Sequence, residues 1–344
     1  MKNRTIYFDY LRVFSTLAVV FIHVSTQKWY SSDINSLAWK TFTAYDSVVR
    51  WCVPVFVMIS GALFLGKAYD IKKIYSKNVL RLATAYIFWS VIYALIEGGG
   101  KSTIISNIII GHYHMWFIPM IAGLYICIPF IHRIAQDNKL TKYFLAVAFV
   151  FAFVLPTFLQ LLNDFGGEHA KTLYNALRTV IADINLQFVM GYTAYFIAGY
   201  FLKQTELSPK ARRIIYLLGV AAGLFTVLIS IYISLKNNKG TSQYFNNFYV
   251  NIMLESIAVF VWVKYNAHLF KRLDRFVAAI SPYCFGAYLV HVIILDTLNK
   301  NLHINTLSFH PVLSVPVISV VVFIVSMIIS AVINQIPVLK KYIV

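Results

Sequence analysis

The sequence predicts an all-α fold, a polytopic integral membrane bundle of about ten transmembrane helices with both termini in the cytoplasm. Three observations carry this. Hydrophobic residues make up 59% of the 344 and charged residues only 12%, against roughly 45–50% and 25% in soluble domains. Apolar runs long enough to cross ~30 Å of hydrocarbon recur along the whole chain. Lys and Arg also concentrate in every second loop, which orients such a bundle. This composition excludes an ordinary soluble fold and leaves little chain for a separate one, so residues 1–344 read as one membrane domain.

In order, the expected spans are 8–26, 46–66, 79–96, 114–131, 143–162, 184–202, 212–234, 247–264, 281–297 and 312–335. The first has the position of a signal peptide, but it carries Asp9 and Arg12 and lacks a small-residue cleavage site, so it is expected to stay in the mature protein. Alternating the loops puts twenty of the thirty Lys and Arg on one side, Lys2 and Arg4 among them, against eight on the other, with Arg12 and Arg50 in or beside spans. The richer side is read as cytoplasmic. The net charge of +17 is thereby explained as an orientation signal that meets anionic lipid, with no nucleic-acid partner implied. The densest basic segment, Lys67 to Arg81, is also suited to an anionic cytosolic ligand, with Lys77 and Arg81 as its binding groups. Cys52, Cys127 and Cys284 sit in apolar stretches without metal-ligand or disulfide spacing, so no metal is expected. No internal repeat and no paired broken helices of the transporter kind stand out.

Ionisable groups inside spans are expensive and are functional candidates by default. Arg12 and His23 are eleven residues apart, which on a helix returns to within about 20° of one face, with roughly 16 Å between them along the axis. Both are expected on one cavity wall, with Asp9 one turn before Arg12 as its partner. The bland alternatives are a snorkelling Arg12 anchor and an interhelical hydrogen bond at His23. Asn247, Asn251 and Glu255 form an i, i+4, i+8 stripe entering from the outside; His291 lies in the ninth expected span, and His114 and Trp116 at the outer end of the fourth. Each of these alone is more often helix-packing glue than chemistry.

At these residues the chain resembles the acyltransferase family 3 membrane proteins, over essentially its whole length. FDYLRVFSTLAVVFIHVS is similar to the family's D-x-L-R opening and R-x10-H pattern, which places Arg12 and His23. VPVFVMISGALFLG resembles the second-span motif and places Ser60 and Gly61; HMWFIPMIAGLYICIPFI places His114 and Trp116; SPYCFGAYLVHVIIL places Tyr288 and His291. The likeness is nearest to a compact ten-span branch that O-acetylates a lipid-linked or polysaccharide sugar, as in enterobacterial common antigen. Where the family has Arg-x-x-Arg before the third span, this chain has Asn78-Val79-Leu80-Arg81.

The resemblance implies an O-acyltransferase of the bacterial cytoplasmic membrane. It would carry an acetyl or similar short acyl group from cytoplasmic acetyl-CoA or another acyl-CoA to a hydroxyl of a surface glycan or lipid-linked sugar. Arg12 would guide the anionic donor, and His23 would act as general base or carry the acyl group, with Glu255 as a candidate orienting carboxylate. A transporter of an anionic or glycan substrate is the competing reading, since a polar cavity with buried Arg, Glu and His also suits a permeation path.

Overall fold

The computed structural model describes residues 5–184, 186, 189 and 191–344. Lys2, Arg4 and part of the start of the sixth expected span lie outside the described residues. Among those described there is no strand. The helices, in chain order, are α1 (Tyr7–Thr26), α2 (Leu37–Ser47), α3 (Cys52–Phe64), α4 (Ile71–Lys73), α5 (Leu80–Glu97), α6 (Lys101–Ile110), α7 (Phe117–Ile126), α8 (Ile128–Gln136) and α9 (Asn138–Ala148). They continue with α10 (Leu155–Phe165), α11 (Glu168–Asp183), α12 (Thr193–Gln204), α13 (Pro209–Lys236), α14 (Val250–Asn266), α15 (Asp274–Ile280), α16 (Cys284–Lys300), α17 (Pro311–Ile333) and α18 (Pro337–Tyr342). Two π-helical turns, Ile74–Val79 and Phe149–Val154, join α4 to α5 and α9 to α10.

Eight helical stretches among the described residues are long and apolar enough to cross a membrane, so the chain is a polytopic helical membrane protein. One of them, Gln243–Lys300, is 58 residues long and contains both α14 and α16, which fall on the expected spans 247–264 and 281–297. At the sixth expected span, 184–202, the described helix is α12, of 12 residues or about 18 Å, and part of the stretch before it lies outside the described residues.

Three expectations about loops and spans need correction. The expected loop 27–45 contains α2, whose mixture of aromatic, hydroxyl and charged residues hydropathy alone passes over. Ser36 caps it by accepting from the Trp39 N–H (3.1 Å), and Trp39 is buried against Trp29, whose indole N–H donates to Thr43 Oγ1 (2.8 Å). The fourth expected span, 114–131, is cut at Cys127 into α7 and α8, with Pro129 in the first turn of α8 where its missing N–H does no harm. It is also preceded by α6, where a loop was expected. The third correction concerns the Asn247–Asn251–Glu255 stripe. The backbone is extended at Tyr249 and helical only from Val250, so Asn247 leaves the stripe.

Central to the bundle is α1, which packs against α2, α3, α14, α16 and α17. Among the described glycines, the closest approach to a partner backbone is where α3 and α12 cross. A Cβ on Gly61 would sit 1.7 Å from the Phe196 carbonyl oxygen, and one on Gly199 would sit 2.0 Å from that of Met58. Two glycines, one on each helix, thus admit the partner's backbone, the small-residue packing that replaces hydrophobic attraction between helices in lipid. This contact holds α3, and with it Phe56 and Ser60, against the cavity described next.

Candidate active site

A cavity of about 560 Å³ lies along α1, and its lining includes Arg12 and Arg81 toward the end of the bundle that bears the Lys67–Arg81 segment, and His23 and His114 toward the opposite end. Between them the wall is mostly apolar, with Val19 of α1 and Phe56, Ile59 and Leu63 of α3, interrupted by Ser60 and Tyr125. The regular helix of α1 places the two groups: eleven residues carry the chain about 16 Å with almost no net rotation.

At the basic end, Arg12 Nη1 donates to Asp9 Oδ1 (3.1 Å), and the same oxygen accepts from Ser281 Oγ (2.7 Å). Asp9 is 1% exposed, so its charge is compensated where water is absent, as a buried carboxylate requires. Arg81 and Asn78 also face the cavity, Asn78 from the π-turn before α5. Arg81 donates through Nε and Nη2 to the Val344 carbonyl (3.1 and 2.5 Å) and lies over the Phe285 ring. Lys77 is exposed and does not line the cavity.

The opposite end gathers three histidines far apart in sequence. Ring centres of His23 and His291 are 5.0 Å apart, of His114 and His291 5.2 Å, and of His23 and His114 6.2 Å. His291 Nδ1 lies 2.6 Å from the Tyr288 carbonyl oxygen, which only accepts, so that nitrogen carries the proton and Nε2 keeps its lone pair. Among the described residues, neither His291 Nε2 nor His114 Nε2 has a hydrogen-bond partner, although both are buried. Tyr288, placed by the family motif, donates to the His114 carbonyl (2.5 Å) and fixes the loop that carries it. Among the described residues, no group of three or more His, Cys, Asp or Glu is arranged to hold a metal ion.

His114 reaches the cavity because α6 ends abruptly. Gly111 has φ +76°, which L side chains rarely adopt, and the Tyr86 hydroxyl lies 2.6 Å from where its Cβ would be. Tyr86 also donates to the carbonyls of Ile109 and Ile110, closing the α6 terminus. The chain then turns through a short 3₁₀ segment, Tyr113–Trp116, before α7. This turn brings in two residues that span spacing did not single out. His112 Nδ1 lies 2.7 Å from His114 Nδ1, and His112 Nε2 lies 3.2 Å from Glu97 Oε1. Tyr113 OH is 3.4 Å from His23 Nδ1. The signal available in sequence was a His-x-His pair together with Glu97, the sole acidic residue between Asp70 and Asp137.

Near the histidines, Trp116 is 44% exposed and lines the cavity with Asn247 and Arg50. Trp116 packs against Tyr192, to whose hydroxyl Asn247 Nδ2 donates (2.7 Å). Arg50 pairs with buried Asp46 and lies over the Phe245 ring. Ser60 faces the cavity with its hydroxyl donating to the Phe56 carbonyl (3.1 Å). Glu255 is elsewhere: it accepts from Thr226 on α13 (2.9 Å) and lines a separate apolar groove against α1 and α13. Its place on α14 turns it away from the histidines, so it does not orient His23.

The family model Acyl_transf_3, an acyltransferase domain, matches residues 5–333. With nearly the whole chain matched, this protein belongs to that family of membrane acyltransferases. No curated protein and no solved structure matches the chain.

Proposed function

We propose that this acyltransferase moves an acetyl or similar short acyl group from cytoplasmic acyl-CoA to a hydroxyl of a surface glycan or lipid-linked sugar on the far side of a bacterial cytoplasmic membrane. The carrying observation is the single cavity that joins two arginines at the basic end to a histidine cluster at the other. In this reading the bundle has ten spans, both termini are cytoplasmic, and the basic end faces the cytoplasm. The donor's phosphates meet Arg12 and Arg81, whose planar guanidinium groups suit phosphate oxygens. Its slender arm lies along the apolar middle of the cavity, past Ser60 and Tyr125, and presents the thioester beside His23.

At that point His23 takes the proton of the acceptor hydroxyl as its oxygen attacks the thioester carbonyl carbon. The carbon–sulfur bond breaks, the ester forms, and the proton goes to the departing thiolate. Trp116 and Asn247 suit a sugar acceptor, the indole against its C–H face and the amide toward a hydroxyl.

The test uses purified protein in lipid nanodiscs, given acetyl-CoA labelled in the acetyl group together with sugar acceptors. Transfer of label to the sugar, dependent on the protein, is the expected result. No transfer to any acceptor, together with donor-independent sugar flux through reconstituted vesicles, would establish a carrier instead.

A further inference from the structure

The contacts behind His114 form a chain from the cavity to the surface, Glu97 to His112 to His114. Glu97 ends α5 with its side chain 41% exposed, and a carboxylate only accepts. Facing it at 3.2 Å, His112 Nε2 therefore carries a hydrogen. A single hydrogen then lies between the two Nδ1 atoms, 2.7 Å apart. If His112 is neutral, its Nδ1 is bare, so the hydrogen belongs to His114 Nδ1 and the lone pair of His114 falls on Nε2. That is the buried nitrogen for which the described residues supply no hydrogen bond, on a side chain that lines the cavity. A neutral His112 is the resting form the relay needs, because its bare Nδ1 is then free to receive a hydrogen once the reaction releases a proton.

We infer that Glu97 and His112 are positioning residues that hold His114 as a second base facing the cavity, and that the three form a relay for the reaction's proton. The inference rests on the acyl-transfer reading above. When the proton that His23 takes from the acceptor hydroxyl is passed on to His114 Nε2, the Nδ1 hydrogen passes to His112 Nδ1. His112 becomes imidazolium beside the Glu97 carboxylate, and His114 stays neutral as the other tautomer. The positive charge thus appears beside the Glu97 carboxylate, its counter-ion at 3.2 Å, rather than in the apolar cavity. Protonating the thiolate reverses both transfers, so no proton is gained or lost over the cycle. Tyr93 supports the arrangement by stacking on the His112 ring at 4.3 Å between centres.

Glu97 has a second neighbour, Asn107, whose Nδ2 donates to Oε2 (3.0 Å), and a purely structural role would be a brace between α5 and α6. Glu97→Gln separates the two, because glutamine keeps the shape and an acceptor oxygen but not the charge. The relay requires Glu97→Gln to lower kcat about tenfold or more with KM for acyl-CoA unchanged, as loss of a supporting group behind a reacting histidine commonly does. Glu97→Asp should recover part of that loss. A brace predicts wild-type kcat for Glu97→Gln at equal abundance, and that result would overturn the relay.

The second measurement does not depend on turnover. Nitrogen NMR of histidine-labelled wild-type protein, with resonances assigned by single substitution, should find His114 protonated at Nδ1 and bare at Nε2. Glu97→Gln should disturb that preference. A wild-type His114 protonated at Nε2, or a tautomer indifferent to Glu97, removes the relay even if the variant folds poorly. A wild-type protein that transfers no acyl group sinks the functional reading and leaves the tautomer result standing.

Discussion

Gly61→Ala offers a sharp test of how the fold holds the cavity. The added Cβ would lie 1.7 Å from the Phe196 carbonyl oxygen, whereas carbon and oxygen in close packing rest at about 3.3–3.6 Å. The obstruction is backbone, so no rotamer change relieves it, and α3 and α12 must separate locally by roughly 1.6–1.9 Å. Overpacking of this kind costs about 1–3 kcal/mol, and a backbone obstruction belongs at the upper end. About 3 kcal/mol is roughly a hundredfold in the folded-to-unfolded ratio. Because α3 supplies Phe56, Ile59, Ser60 and Leu63 to the cavity wall, turnover should fall together with stability. The assay is thermal unfolding in detergent alongside acyl transfer at matched protein level. Gly199→Ala should behave alike, its Cβ lying 2.0 Å from the Met58 carbonyl oxygen. The double variant should lose less than the sum, since separating the helices once admits both methyl groups. Wild-type unfolding temperature and turnover in Gly61→Ala would refute the close crossing.

The remaining predictions concern the site and topology. His23→Gln should lose about 10²–10⁴ in kcat while inserting normally, and a variant within a few-fold of wild type at equal abundance would remove His23 from the chemistry. Arg12→Ala, and also Arg12→Lys, should weaken use of the acyl donor more than expression, because an ammonium does not reproduce the planar fork. Turnover against acyl-CoA concentration decides it, with unchanged donor dependence pointing to a membrane anchor. Glu255→Gln should keep kcat within a few-fold, since Glu255 bonds Thr226 away from the histidines, and a hundredfold loss would return it to the mechanism. Reporters at the two termini should be active in the cytoplasm, and a tag at Ser32–Ser36, ahead of buried Trp39, should be accessible from outside.

What was legible in sequence is what a regular helix dictates. Arg12 and His23 share a cavity wall in the structure because their spacing and the helical repeat leave no other outcome once α1 is unbroken through Tyr7–Thr26. The Asn247–Glu255 stripe obeyed the same arithmetic on paper, and it splits because helix begins only at Val250. Periodicity cannot foresee where an element starts. The Glu97–His112 contact spans a helix end, a second short helix and the positive-φ turn at Gly111, none of which leaves a periodic trace. Nor does α2, whose alternation of Trp, Thr, Phe and Tyr has too little hydropathy to register as a span although Trp39 and Phe42 are fully enclosed. The glycines at 61 and 199 were visible as small residues, but only the crossing explains why each is needed.

The two ends of the cavity are coupled by geometry. Arg12 and His23 stand on one helix, so in the proposed mechanism the distance between the donor's anchor and the reacting histidine is set by a rigid element that loop motion does not alter, and catalytic geometry is best held by such elements. The Asp9 carboxylate, held by Ser281, fixes the guanidinium of Arg12 to that helix. A guanidinium has five N–H donors; Arg12 gives one to Asp9 through Nη1, while Arg81 directs two to the Val344 carbonyl. Of the two arginines, Arg12 thus keeps more donors for a phosphate and Arg81 must give up an existing bond to match it. Donor binding should therefore lean on Arg12. The same logic orders the far end: His23 shares the helix with the anchor, whereas His114 is set by a turn and a chain of side chains. In the proposed mechanism acyl positioning accordingly falls to α1, and management of the proton to the loop after Gly111.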